Sequence, residues 1–276
     1  GKGSVIGNEM AGSPKIDIVS VTGSVGAGES IMAAASKNIT KVSLELGGKA
    51  PAIVCKDADL EKAAQWIVDS RIGNNGQICN NAERVYVQKE VKAEFTKILV
   101  DKMSAVKVGD VCKDHTVDMG PLVEARALES VTEKVERAIK QGAKLLCGGH
   151  RVGDKGYFYA ATVLDNCTQQ MDIIHEETFG PVIPLVEFDT IEQVIEWAND
   201  CEYGLASSVF TKDIDTAARV ARELEFGETY INREHFEAMQ GFHAGVKKSG
   251  IGGADGKHGI EEYLVTHVTY LDTWYE

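Results

Sequence analysis

Strand-like and helix-like periods alternate along this chain from its first fifty residues, and that alternation restricts the available folds more than any other feature. Ile16-Asp17-Ile18-Val19-Ser20-Val21 reads as a strand, broken by Gly23-Ser24. The Ala-rich residues 28–36 are helix-prone, and Lys41-Val42-Ser43-Leu44-Glu45-Leu46 alternates as a second strand before Gly47-Gly48 ends it. Such a β-α-β order implies a parallel sheet with right-handed crossovers, and loops at the carboxyl ends of its strands are open to a ligand.

The same grammar continues. Residues 1–7 read as a turn-rich start followed by a short helix. Asp57 is an expected helix N-cap, with Asp59 and Glu61 in the first turn and Leu60, Ala63, Ala64 and Ile67 at helical spacing, leading towards Cys79. A strand at 85–87 precedes an amphipathic helix carrying Val91, Phe95, Leu99 and Met103, and another helix runs from about 122 to 140 before Gly142. Strands at 182–188 and 207–210 alternate with helices at 191–198 and 216–224, and 263–270 is the last expected strand. The fold class is α/β.

With 276 residues, 43% of them hydrophobic and 26% charged, the chain can bury one large core or two smaller ones. A formal charge of −13 argues against a nucleic-acid surface. No apolar run approaches the roughly 20 residues that span a bilayer, and Gly1-Lys2-Gly3-Ser4 opens no apolar leader, so no membrane partner and a cytoplasmic location are expected. The six cysteines, at 55, 79, 112, 147, 167 and 201, show neither a disulfide framework nor zinc spacing, and most are expected in the core. No His-x-x-x-His pair occurs, and no metal is expected.

Cys79, in Gly76-Gln77-Ile78-Cys79, follows Glu45, in Leu44-Glu45-Leu46-Gly47-Gly48-Lys49, by 34 positions (79 − 45 = 34). A thiolate attacks carbonyl carbon, and a carboxylate within one water of it can serve as base. A lone cysteine is more often inert and a lone strand-end glutamate more often ion-paired. Asn74, Asn75, Asn80 and Asn81 nevertheless give Cys79 a polar, turn-forming neighbourhood. Thr22 to Gly28 joins a strand to a helix, so Gly23 and Ser24 can meet a phosphate or simply make a turn. In Glu177-Thr178-Phe179-Gly180-Pro181, Glu177 can bind sugar hydroxyls while Phe179 packs on a flat ring, or the run is an ordinary loop. Residues 236–243 mix aromatics with polar tips, as a pocket wall or a self-packed loop would.

In this order and spacing, these segments resemble the aldehyde dehydrogenase superfamily over essentially the whole chain. The Leu44 to Lys49 run is similar to its general-base motif, Gly76 to Cys79 to its nucleophile motif, Glu177 to Pro181 to its nicotinamide-ribose motif and Gly23-Ser24 to its phosphate turn. The run from Asn232 to His243, with Lys248 to Gly253, looks most like the lactaldehyde and glycolaldehyde dehydrogenase branch. The resemblance implies an NAD-dependent oxidation of a small aldehyde, NADP being the alternative cofactor. Cys79 and Glu45 are then catalytic, Gly23, Ser24, Leu46, Glu177 and Phe179 bind the cofactor, and Glu237 and His243 line the substrate pocket. It further implies a remnant of the NAD-binding domain at 1–47, a catalytic domain at 48–247 and, at 248–276, a return segment with a strand that assembles homo-oligomers.

Family members are nearly twice as long, so most of the Rossmann strands, the residues holding the adenosine ribose and the oxyanion-hole asparagine are expected in a missing amino-terminal half needed for activity. Val21 and Val25 also stand where the family often has Phe and Thr. Two rivals remain at this point: a catalytically incomplete piece that serves folding or oligomerisation, and a thiol hydrolase or acyltransferase independent of nicotinamide.

Overall fold

The computed structural model describes residues 1–234 and 236–274. It begins with α1 (Gly3–Ala11), β1 (Ile18–Thr22), α2 (Val25–Ala35) and β2 (Lys41–Glu45). The strands β1 and β2 pair in parallel, Ile18 opposite Lys41 and Thr22 opposite Glu45, with α2 as their crossover. Ser24 starts α2 by accepting a hydrogen bond from the Ala27 N–H at 3.3 Å.

A second unit follows: β3 (Ala50–Val54), α3 (Leu60–Ile72), β4 (Ala82–Gln88), α4 (Lys92–Ser104), α5 (Ala125–Lys140), β5 (Lys144–Cys147) and β6 (Thr162–Cys167). The short α6 (Asp172–His175), β7 (Val182–Phe188), α7 (Ile191–Asn199), β8 (Tyr203–Gly204), β9 (Ala206–Phe210), α8 (Ile214–Glu223) and β10 (Glu228–Ile231) complete it. Seven of these strands form one sheet in the order β10-β9-β3-β4-β7-β6-β5, parallel throughout except for β5 against β6. The central strands are buried on both faces, which is why they read as apolar runs. Ala52, Val54, Val85 and Val87 face the core under α3 and α4, whereas Ile53 and Tyr86 face the core under α5, α7 and α8.

The chain then returns. The strand β11 (Val246–Lys247) pairs antiparallel with β8, and β12 (Gly250–Ile251) adds antiparallel to β2, giving the three-stranded order β1-β2-β12 before α9 (Gly256–Glu261). Ser249 fixes this return from a fully buried position, its Oγ donating to Gly47 O at 2.7 Å and accepting from Gly204 N–H at 2.9 Å.

Several local expectations change. The glycines of residues 1–7 do not prevent helix, because α1 already begins at Gly3. Asp59 caps α3, accepting from Lys62 N–H at 3.2 Å, while Asp57 instead accepts from Thr211, Lys212 and Asp213 at the approach to α8. Of the cysteines only Cys55 and Cys167 are buried, and Cys112 is exposed. Residues 263–270, expected as a strand, make none: 264–274 lack regular structure, with Val265 and Tyr270 more than nine-tenths exposed. A strand exists only against a partner's N–H and C=O groups, and this tail pairs with no sheet edge of its own chain. No helix among the described residues is long and apolar enough to cross a membrane.

Candidate active site

Loops converge where the carboxyl end of β2 meets the amino ends of β3, β4 and β7. The base candidate therefore leaves its strand, as expected of an α/β site, but Cys79 and Glu177 precede theirs. Three consecutive left-handed residues, Asn74, Asn75 and Gly76 (φ 46, 60 and 75°), turn the chain between α3 and Cys79. Asparagine tolerates this region better than most residues, which explains the Asn-Asn-Gly run. At Gly76 a Cβ would stand 2.3 Å from Gly180 O, and at Gly48 one would stand 2.1 Å from Cys79 O. Both positions exclude any side chain, and through them the 46–49, 73–81 and 177–181 loops touch.

Glu45 is buried, and neither of its carboxylate oxygens receives a hydrogen bond among the described residues. Burial lifts its pKa to about 7, with His243 opposing the rise and Glu228 and Asp255 adding to it. His243 Nε2 lies 3.5 Å from Glu45 Oε2, and its Nδ1 lies 2.9 Å from Glu228 Oε1. Interaction with the Cys79 side chain and with Glu228 pushes its pKa up to about 11 against the effect of burial. Glu237 joins the same wall, accepting from Asn80 Nδ2 at 2.9 Å. Cys79, Glu45 and the 236–243 stretch that carries Glu237 and His243 thus meet from three separated parts of the sequence.

The 177–181 loop stands on a buried charge. Glu83 accepts from Lys49 Nζ at 2.6 Å, Arg71 Nη2 at 2.7 Å and the Thr178 and Phe179 N–H groups, each at 3.0 Å. Burial alone would raise the Glu83 pKa, but Arg71, Lys49 and the Thr178 N–H outweigh it and hold it at about 2. Arg71 also donates to Gly180 O and, at 2.6 Å, to Asn81 Oδ1, so one guanidinium spans the nucleophile loop and the 177–181 loop. Sequence reasoning missed this cluster. Its one local sign is the charged pair Glu83-Arg84 inside a strand otherwise suited to a core.

Gly23 and Ser24 sit exposed at the amino end of α2, and Gly23 N–H donates to Glu45 O at 2.9 Å, tying this turn to the base. Gly26 has no atom within 4 Å of where a Cβ would stand, so the helix end is open and can receive a phosphate. Leu46 is buried against Gly28. Glu177 accepts from Gly48 N–H at 2.8 Å, and burial pushes its pKa up to about 7. Phe179, at φ 52°, is 41% exposed in this loop. The cofactor candidates thus form two patches, one at α2 and one at 177–179, joined through Leu46 to Gly48.

The aldehyde dehydrogenase family model matches residues 1–269. Lactaldehyde dehydrogenase of Escherichia coli (strain K12) is 58% identical over 273 residues, covering 99% of this chain and 57% of that protein. A crystal structure of that enzyme superposes with a TM-score of 0.97 over 99% of this chain and 57% of that one. The 3,6-anhydro-alpha-L-galactose dehydrogenase of Vibrio sp. (strain EJY3) is 45% identical over 276 residues, 99% of this chain and 57% of that protein. Betaine aldehyde dehydrogenase from Staphylococcus aureus in complex with NAD+ is 38% identical with a TM-score of 0.93, over 100% of this chain and 57% of that one. The chain therefore spans little more than half the length of these relatives. Within that span, both the sequence and the backbone place it in the aldehyde dehydrogenase family.

Proposed function

We propose that the protein containing this chain oxidises a small hydroxyaldehyde, of the lactaldehyde or glycolaldehyde type, to its carboxylate with NAD. The observation that carries this reading is the buried, hydrogen-bond-free Glu45 carboxyl beside the imidazole that contacts Cys79. Cys79 adds as thiolate to the aldehyde carbonyl, and its own backbone N–H meets the oxygen of the resulting thiohemiacetal. The nicotinamide, when bound, supplies the hydride acceptor for the oxidation. The open α2 turn with Gly23 and Ser24, Leu46, and the Glu177 and Phe179 patch fit a dinucleotide laid across the β2–β3 connection. Glu45, with a pKa near 7, takes a proton from water and gives it up again near neutrality, which suits hydrolysis of the Cys79 thioester. Glu237 and His243 offer hydrogen bonds to a substrate hydroxyl that an apolar channel lacks.

The length covered and the exposed Val5, Ile6, Met10, Met32 and Ile39 of the amino-terminal unit favour a second reading for the isolated chain: a piece that needs the remaining half to act. Its tail, rich in exposed apolar side chains, is a candidate strand for homo-oligomers. NADH formation from lactaldehyde, by the chain alone and mixed with an amino-terminal half from a relative, separates these readings. Turnover by the chain alone refutes the incomplete-piece reading, whereas a fused full-length protein without turnover refutes the enzyme. Ester hydrolysis without nicotinamide, and no NADH, would point to the thiol hydrolase instead.

A further inference from the structure

Glu228 takes no part in the reaction above, yet its carboxylate, on the edge strand β10, is partly buried and engaged at both oxygens. Oε1 lies 2.9 Å from His243 Nδ1, and Oε2 accepts from Tyr230 Oη at 2.7 Å. Across the ring, Nε2 lies 3.5 Å from Glu45 Oε2, and the Cys79 side chain interacts with the same imidazole. The backbone fixes the ring's root as well: His243 N–H donates to Ala254 O at 2.9 Å, and Ala254 N–H to His243 O at 2.8 Å.

We propose that Glu228 is a positioning residue, which keeps His243 protonated and turned with Nε2 towards Glu45 and Cys79, so that a fixed cation stands beside the nucleophile.

The inference deepens the proposed role of Cys79 and rests on it. Nδ1 donates to Glu228, and a ring that also carries a proton on Nε2, where Glu45 and Cys79 face it, is a cation. The groups facing the ring are Cys79 from the loop before β4, Glu45 from β2, and Glu228 with Tyr230 behind it on β10; Asp255, ahead of α9, acts on the ring indirectly through Glu45. Glu228 approaches a ring nitrogen more closely than Glu45 does, 2.9 Å against 3.5 Å, and its second oxygen is already committed to Tyr230. It therefore has little freedom to turn away. A carboxylate that orients an imidazole behind a nucleophile in this way sets which nitrogen faces the reacting atoms.

The test uses the whole 276-residue chain and needs no cofactor. Cys79 is alkylated at neutral pH by neutral iodoacetamide and, separately, by anionic iodoacetate, with quantification by peptide mass spectrometry and exposed Cys112 as the internal reference. A cation beside the sulfur favours the anionic reagent. In Glu228→Gln the iodoacetate to iodoacetamide rate ratio at Cys79 is expected to fall roughly fivefold, matching His243→Asn, with partial recovery in Glu228→Asp. Should Glu228→Gln unfold, Tyr230→Phe removes only the supporting hydrogen bond and is expected to lower the ratio about twofold. A ratio that stays level or rises in Glu228→Gln, or in Tyr230→Phe where that variant is used, while His243→Asn falls, overturns the proposal, because an anion would then have been lost or loosened without the imidazole losing its charge. That result alongside intact aldehyde oxidation sinks only the role of Glu228. The expected fall without any aldehyde oxidation in the full-length fusion sinks the proposed reaction and leaves this inference standing.

Discussion

Glu83→Gln leaves Lys49 and Arg71 buried with their shared counter-charge removed. Breaking such a pair costs about 3–5 kcal/mol, far more than a surface ion pair contributes, and urea unfolding of the chain should show the loss. Glu45 carries the opposite kind of signature. Its pKa rises from an ordinary 4.5 to about 7 on folding, so the native state binds the proton more tightly. The resulting stabilisation is complete below pH 4.5 and is lost as pH rises through 7. Relative to Glu45→Gln, the natural chain should lose about 1–3 kcal/mol across that window, measured by denaturant unfolding at several pH values. A difference independent of pH would mean that the carboxyl is already ionised when folded. Cys79 and Glu45 were legible in sequence because each sits in its own contiguous motif. Glu83 and Glu228 were not, since their meaning lies in partners that sequence separates: Glu83 reaches Thr178 across 95 positions, and Glu228 matters only once His243 returns beside it.

Among the elements, the longer helices were legible because apolar residues recur along one face, as Leu128, Val131, Val135 and Ala138 do on α5, whereas the short α6 and α9 were not. The strands β3, β5, β6 and β10 were missed for local reasons. In β3, Pro51 lacks an amide donor and coincides with a register shift between Ala50 and Pro51, so the run does not look like a central strand. Half-exposed β5, at the sheet edge, shows no alternation. Asp57 and Asp59 are both chemically able to cap α3, and the contest is decided by Thr211, which a local reading does not see. Two measurements address elements directly. Ser24→Ala removes the side-chain cap of α2 and should cost about 1 kcal/mol in thermal or urea unfolding. Gly76→Ala forces a Cβ into Gly180 O at a left-handed residue, and a loss of about 2–4 kcal/mol with slower Cys79 alkylation is expected. Unchanged alkylation there would show that the loops move apart without displacing the thiol.

At the level of the molecule, α/β architecture was legible and the family resemblance implied a return segment at 248–276, but the strands of that return were not, because two-residue strands such as β11 and β12 carry no period to detect. The exposed tail offers a direct test. A chain ending at Tyr263 lacks Leu264, Val265, Val268, Tyr270, Leu271 and Trp274, all exposed, and should show a smaller mass by light scattering than the full chain at the same concentration. Equal masses would place self-association elsewhere. The late pairing of β12 with β2 also has a consequence for synthesis. Glu45 leaves the ribosome 205 residues before its strand partner Gly250 (250 − 45 = 205), and at about 5–20 residues per second that interval lasts roughly 10–40 s. Throughout it, β2 has an unpaired edge beside the base of the future site, so a ribosome stalled before Gly250 would hold a nascent chain whose prospective active site is open to chaperones and to neighbouring chains alike.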